Sequence, residues 1–153
     1  MRAKALWRGA GLAIAAECSL GCLAALVAGS DTSGVVHRKQ CVLVADDSTE
    51  FAAMLRATLE EAGFEVVTAY SGPAALAAMK SNEVDAAVLD VLMPGISGDA
   101  VADRFRRLYP ELPIVLMTGD AGAPFVATAD APVLRKPFRH EELVDTIRGL
   151  LDP

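Results

Sequence analysis

Asp46, Asp47, Asp90, Thr118 and Lys136 each stand at or just past the end of a short strand-like run. The runs are Val42-Leu43-Val44-Ala45, Ala86-Ala87-Val88-Leu89, Ile114-Val115-Leu116-Met117 and Val133-Leu134-Arg135. In an open parallel sheet, the edge formed by the C-terminal ends of the strands is where ligands bind. Three carboxylates, one hydroxyl and one ammonium meeting there make a site for a divalent cation and a phosphoryl group. Clustered carboxylates repel unless a cation neutralises them. Oxygen-rich sites of this kind suit Mg²⁺, which keeps several waters and takes one or two carboxylates. The metal would bind through Asp47 and Asp90, a backbone carbonyl just after Asp90, and waters, one of them held by Asp46. Asp90 can then act as a nucleophile, as carboxylates do in aspartyl-phosphate chemistry. Mg²⁺ and Lys136 would offset charge on the phosphoryl oxygens. Thr118 can donate a hydrogen bond to one of those oxygens.

Taken singly, each element is ordinary. An Asp-Asp pair after a strand usually caps a helix or makes a turn. A Thr in that place is usually a cap, Lys-Pro usually enters a loop, and Asp90 could simply start a turn. The joint pattern, with all five at successive strand ends on one edge, is what carries the reading.

The elements that must position them alternate along the chain. Cys41–Ala45 is a continuous apolar run, as expected for a strand buried on both faces. Ser48–Ala62 reads as a helix with Phe51, Leu55, Leu59 and Ala62 on one face. Asp47 is its expected cap, with Glu50 three residues on, and Gly63 its stop. Glu65–Ala69 is the second strand. Ser71-Gly72-Pro73 opens a helix to about Lys80, with Leu76 and Met79 inward. Asp85–Asp90 is the third strand. Asp99–Tyr109 is a helix with Val101, Phe105 and Leu108 inward, ended by Pro110. Pro113–Met117 is the fourth strand. Residues 120–130 are poorly patterned, with a short helix expected around Pro124–Thr128. Val133–Arg135 is the fifth strand. Arg139–Leu151 is the last helix, burying Leu143, Ile147, Leu150 and Leu151. Strands alternating with helices imply a parallel sheet covered on both faces.

Composition narrows the function class. Residues 41–153 hold 18 Asp plus Glu against 9 Lys plus Arg, a formal charge of −9. That acidic body argues against direct nucleic-acid binding, which needs a basic face. Arg104, Arg106 and Arg107 read as a solvated helix face. Three cysteines, Cys18, Cys22 and Cys41, make neither a disulfide framework nor a zinc ligand set. Cys41 reads as a small core residue.

Residues 1–39 form a separate leader and linker, ahead of a domain over 40–153. Arg2, Lys4 and Arg8 precede an apolar stretch, Gly9 to Gly29, interrupted by Glu17. It could be a membrane anchor, although Glu17 within a span is costly. It could be a signal peptide. It could also be a misassigned start, with translation beginning near Val35 or Val36. Ser30–Gly34 reads as a linker in each case.

The set Val44-Ala45-Asp46-Asp47-Ser48, Val88-Leu89-Asp90-Val91-Leu92-Met93-Pro94-Gly95, Leu116-Met117-Thr118-Gly119 and Arg135-Lys136-Pro137-Phe138 resembles the receiver domain of response regulators, of single-domain or hybrid-kinase type. The resemblance covers residues 40–152. It implies a flavodoxin-like, CheY-like α/β fold: a doubly wound five-stranded parallel sheet of order 2-1-3-4-5 with five helices, the fourth short. It implies that Asp90 accepts phosphate from a histidine kinase or a histidine phosphotransfer protein. Asp46, Asp47 and Asp90 would bind Mg²⁺, with the backbone carbonyl of Leu92. Thr118 would be the switch hydroxyl and Lys136 the phosphate-contacting lysine. No enzyme activity beyond self-phosphorylation and slow autodephosphorylation is expected.

Two departures shape the remaining expectations. Many receivers carry an aromatic three residues before the lysine; here it is Val133. The stretch between Thr118 and Lys136 is also short. Both point away from a switch that dimerises on phosphorylation, towards a monomer that relays phosphate or regulates a kinase. No output domain is expected. Membrane association is expected only if residues 9–29 are a native anchor. Otherwise the location is cytoplasmic, since export would separate the site from its phosphate donors. The alternative is a phosphorylation-independent interaction module on the same fold. Such modules typically lose the nucleophile or the lysine, and this chain has both. A small hydrolase using Asp90 would need further acid or base groups, and His37 and His140 are poor candidates.

Overall fold

Apolar runs alternating with two-faced helices fold as the pattern requires. The computed structural model describes residues 38–119 and 131–152. Five parallel strands make one sheet: β1 (Cys41–Ala45), β2 (Glu65–Ala69), β3 (Ala86–Asp90), β4 (Ile114–Thr118) and β5 (Val133–Arg135). Their order is β2-β1-β3-β4-β5, as expected. Four helices lie among the described residues: α1 (Thr49–Glu61), α2 (Gly72–Ser81), α3 (Gly98–Leu108) and α4 (His140–Leu151). The short helix expected near Pro124–Thr128 and the leader lie outside the described residues. Among the described residues no helix is long and apolar enough to cross a membrane.

Side chains alternate across a strand, so each central strand feeds two cores. Leu43, Ala45, Ala87, Leu89, Ile114 and Leu116 face Ala75 and Met79 of α2 and Val101 and Phe105 of α3. Val42, Val44, Ala86, Val88, Val115 and Met117 face Leu55 and Leu59 of α1 and Leu143 and Ile147 of α4. Burial on both sides explains why these strands read as unbroken apolar runs. The strand order reverses at β1 and β3. The crevice at their C-terminal ends is therefore the place for a ligand.

Several boundaries and faces differ from the sequence reading. Ser48, not Asp47, caps α1: its hydroxyl accepts the Phe51 N–H at 3.3 Å. Both residue types cap well. Asp46 decides the choice by accepting the Ser48 N–H on its own carboxylate at 2.9 Å. At the other end, Gly63 has φ +99, Gly63 N–H donates to Glu60 O, and Phe64 N–H donates to Leu59 O. This is a Schellman ending, in which glycine avoids the left-handed strain of other residues. Leu108 is exposed rather than inward, and Ala102 takes its place in the core. The chain leaves the sheet at that turn, and Tyr109 packs edge-on against Phe105 instead. Phe51, Ala62, Leu76, Leu150 and Leu151 are only half-buried, while Ala52, Ala75 and Val144 are buried.

Asp85 lies just outside β3 but ties the lower end of the sheet. Its backbone N–H donates to Cys41 O at 2.8 Å, and its carboxylate accepts the Cys41 N–H at 2.7 Å. The other carboxylate oxygen accepts from Arg38 at 2.9 Å. Cys41 is buried as expected. Burial first, then the nearby Asp85 and Glu65 charges, push its thiol pKa up against the pull of Arg38. The thiol therefore stays neutral and inert.

Candidate functional site

The polar residues at the upper edge are positioned by strand ends. Asp90 is the last residue of β3, opposite Met117 of β4. The N–H of Val91 donates to Met117 O at 2.8 Å, which fixes the chain just past Asp90. Asp46 directly follows β1, and its N–H donates to Ala69 O at 3.1 Å. Asp90, Asp46 and Thr118 are the buried polar residues among those described. Asp47 is exposed at the rim. Lys136 follows β5, with its N–H donating to Thr118 O at 2.8 Å. Thr118, at the end of β4, and Lys136, just past β5, are thus held together at the same edge.

The side chains converge. Carboxylate oxygens of Asp46, Asp47 and Asp90 all lie within 4.8 Å of one another. Lys136 Nζ donates to Asp46 Oδ2 at 2.7 Å and lies 3.3 Å from Asp90 Oδ1. The other Asp46 oxygen already accepts from Ser48 N–H. Burial is the largest influence on Asp90 and raises its pKa above the ordinary carboxylate value. The Lys136 charge opposes that shift, while Asp46 and Asp47 reinforce it. Three hard oxygen donors at such close range are a donor set that Mg²⁺ fits.

The loop after Asp90 is held by two glycines. A Cβ on Gly98, the first residue of α3, would collide with the carbonyl of Asp90 itself. A Cβ on Gly72, the first residue of α2, would come within 2.6 Å of Ile96 O. The Gly98 N–H donates to Val91 O at 3.1 Å, closing the loop at its base. Leu92 lies in this loop with its side chain exposed. The sequence reading missed these close approaches and the Ser48 contact to Asp46. Phe51 packs against the core from α1 as expected, but its ring also lies under the Lys136 ammonium, a contact the sequence reading missed. One signal for Phe51 was available: it stands one helical turn beyond Asp47, towards the site edge. His140 is exposed at the start of α4, with Nδ1 3.4 Å from Thr58 Oγ1 of α1. Arg104 and Arg107 are exposed on α3, and Arg106 is half-buried.

The family model of the response regulator receiver domain matches residues 42–148. The chain belongs to this family. The receiver is 38% identical to the probable transcriptional regulatory protein TcrX of Mycobacterium tuberculosis over 115 residues, 72% of this chain and 49% of that protein. It is 39% identical to the response regulator MprA of Mycobacterium avium over 114 residues, 72% of this chain and 50% of that protein. The chain thus spans about half the length of the curated relatives it matches. Among solved structures, a putative response regulator from Chloroflexus aurantiacus aligns with TM-score 0.68 and 38% identity, over 76% of this chain and all of that one, 100%. The response regulator TrrA of Thermotoga maritima, solved in complex with Mg²⁺ and BeF, aligns with TM-score 0.67 and 32% identity over 73% and 99% of the two chains. The fold is the CheY-like one that the motifs implied, and the chain is a receiver of a two-component system.

Proposed function

We propose that this receiver takes a phosphoryl group from a phosphohistidine onto Asp90 in the presence of Mg²⁺. The observation that carries the reading is the convergence of three carboxylates and Lys136 at the ends of β1, β3 and β5. The donor would be a histidine kinase or a histidine phosphotransfer protein. TrrA, a relative by fold and sequence, is held with Mg²⁺ and BeF, which supports the same ion here.

In the transfer, an ionised Asp90 oxygen attacks phosphorus. The P–N bond to the donor imidazole breaks, its electron pair stays on nitrogen, and a proton from solvent neutralises the leaving ring. Asp90 must be ionised for this, and Lys136 at 3.3 Å favours that form against the effect of burial. Lys136 also stands where it can exchange Asp46 for a phosphoryl oxygen. Thr118, at the end of the adjacent strand, would offer its hydroxyl to the same group. Asp47, Asp90 and the Leu92 carbonyl would hold the metal, which supplies positive charge to the phosphoryl oxygens. Asp46, with both oxygens already accepting hydrogen bonds, suits a water-holding role.

Output would follow a relay or kinase-feedback route rather than strong dimerisation, because Val133 gives no ring to swing inward. The protein would act in the cytoplasm, where phosphohistidine donors reside, and would turn over no substrate other than its own phosphoryl group. DNA recognition is not expected of this acidic receiver region; the transcriptional relatives extend beyond the part matched here.

Acetyl phosphate with Mg²⁺ tests the assignment. One hydroxylamine-sensitive phosphoryl group should appear by intact-mass analysis, and none in Asp90→Asn. Equal labelling of the variant moves the site elsewhere. Light scattering of the phosphorylated protein tests the output. A monomer-to-dimer shift that disappears in Thr118→Ala restores the dimerising switch.

A further inference from the structure

We propose that Phe51 is a positioning residue for Lys136, holding its ammonium by the face of the ring while it changes partners during phosphoryl transfer. The inference rests on the phosphoacceptor reading above.

Three groups lie close to Lys136 Nζ. Two are carboxylates, Asp46 at 2.7 Å and Asp90 at 3.3 Å. The third is the Phe51 ring, whose centroid is 4.2 Å away. That distance lies well inside the range at which an aromatic quadrupole attracts an ammonium. The ring differs from the carboxylates in one respect: it attracts the cation without competing for the metal or accepting a proton. When a phosphoryl group occupies Asp90, Lys136 has to turn from the carboxylates towards the new oxygens. The ring is a partner it can keep through that exchange.

The ring is itself fixed. Phe51 is in the first turn of α1, and its N–H is held by the Ser48 hydroxyl at 3.3 Å. Phe138, two residues past Lys136, meets it edge-on with centroids 6.0 Å apart and planes at 76°. Phe51 therefore touches both Lys136 and a neighbour in the same connection, so α1 and the segment after β5 are registered at the lysine.

A substitution series separates this role from packing. Phe51→Leu keeps apolar bulk and removes the quadrupole. Phenylalanine carrying one, two or three ring fluorines at position 51 keeps the ring and weakens its face in steps. The expected rate of Asp90 phosphorylation by acetyl phosphate falls about three- to tenfold in Phe51→Leu, and in graded steps with fluorination. Urea midpoints along the fluorinated series should stay level. In metal-free protein, the Lys136 ε-methylene protons should be shifted upfield by the ring in NMR spectra, and Phe51→Leu should abolish that shift. A flat rate across the fluorinated series overturns the proposal, whether or not Phe51→Leu is slow. An unshifted Lys136 methylene in the wild-type protein overturns it as well. If the wild-type protein takes no phosphoryl group on Asp90, the parent reading falls and this role falls with it.

Discussion

Lys136 Nζ and Asp46 Oδ2 are 2.7 Å apart, and the Asp46 side chain is almost wholly enclosed. The ammonium is thus committed first to Asp46, with Asp90 the more distant partner. Lys136→Met should strand a buried carboxylate with only the Ser48 N–H on it. Loss of one member of a buried pair is costly, and partial exposure of Lys136 moderates it, so a cost of about 2–3 kcal/mol is expected. Removing the cation should at the same time tighten Mg²⁺ binding. Urea unfolding and calorimetric titration check the two halves. A variant as stable as wild type, with unchanged Mg²⁺ affinity, contradicts both. Much of the lost stability should return in Asp46→Asn/Lys136→Met.

Asp90 sets a pH dependence of definite sign. Its pKa in the fold is raised, chiefly by burial, above the ordinary 3.8. The fold therefore favours the protonated acid. The contribution is fully present below 3.8 and is lost as pH rises through the raised value. At neutral pH the ionised carboxylate weakens the metal-free protein. Asp90→Asn should accordingly be more stable than wild type at pH 7, and the difference should shrink as pH falls through the raised value and be gone below the ordinary 3.8. Denaturation midpoints of the pair across that window decide the matter. A constant difference assigns the effect to something other than ionisation.

Asp47 is exposed at the rim, with its carboxylate within 4.8 Å of those of Asp46 and Asp90. Asp47→Ala should leave metal-free stability within about 0.5 kcal/mol of wild type or slightly above it, through relief of repulsion. Mg²⁺ affinity should fall by about tenfold or more, the scale of losing one charged ligand. Undiminished affinity in this variant means that the rim carboxylate is not a ligand.

Two glycines in helices should respond in opposite directions. Gly98→Ala places a methyl group against the Asp90 carbonyl, so α3 must shift. A loss of about 1–3 kcal/mol is expected, together with slower phosphorylation, because the displaced backbone is that of the nucleophile. Gly149→Ala, inside α4 with nothing near its added methyl, should gain about 0.5–1 kcal/mol and leave phosphorylation alone. Equal responses from the two would show that the tight approach at Gly98 is easily relaxed.

Strand order and site edge were legible because the pattern is redundant. Each apolar run ends in a polar residue, and each helix shows an apolar stripe. What escaped depended on where segments meet. Asp47 and Ser48 are both good caps, and only the Asp46 carboxylate, already taken by Ser48 N–H, separates them. Helical period indicated Leu108 as inward, but period carries no information on where the helix overruns the sheet. Phe51 packs against the core, as its type and spacing suggested, but its second contact does not follow from either. That second contact, Lys136, is 85 residues away in the chain. The Gly98 and Gly72 contacts likewise arise only once two segments are side by side.

The Asp85 tie at the lower end of the sheet bears on alternative pairings of the chain. Because β1 is apolar on both faces, shifting it by two residues would keep the side chains of Cys41–Ala45 on their original faces. Hydrophobic pattern alone therefore discriminates poorly against that slipped arrangement. Asp85 discriminates: its backbone N–H and its carboxylate both engage Cys41, and neither bond survives the slip. Two residues of strand correspond to roughly 6–7 Å of travel. A slipped β1 would carry Asp46 and Asp47 that far from Asp90 and disperse the charge cluster. The alignment of the acidic edge is thus enforced from the far side of the molecule, by a side chain that takes no part in its chemistry.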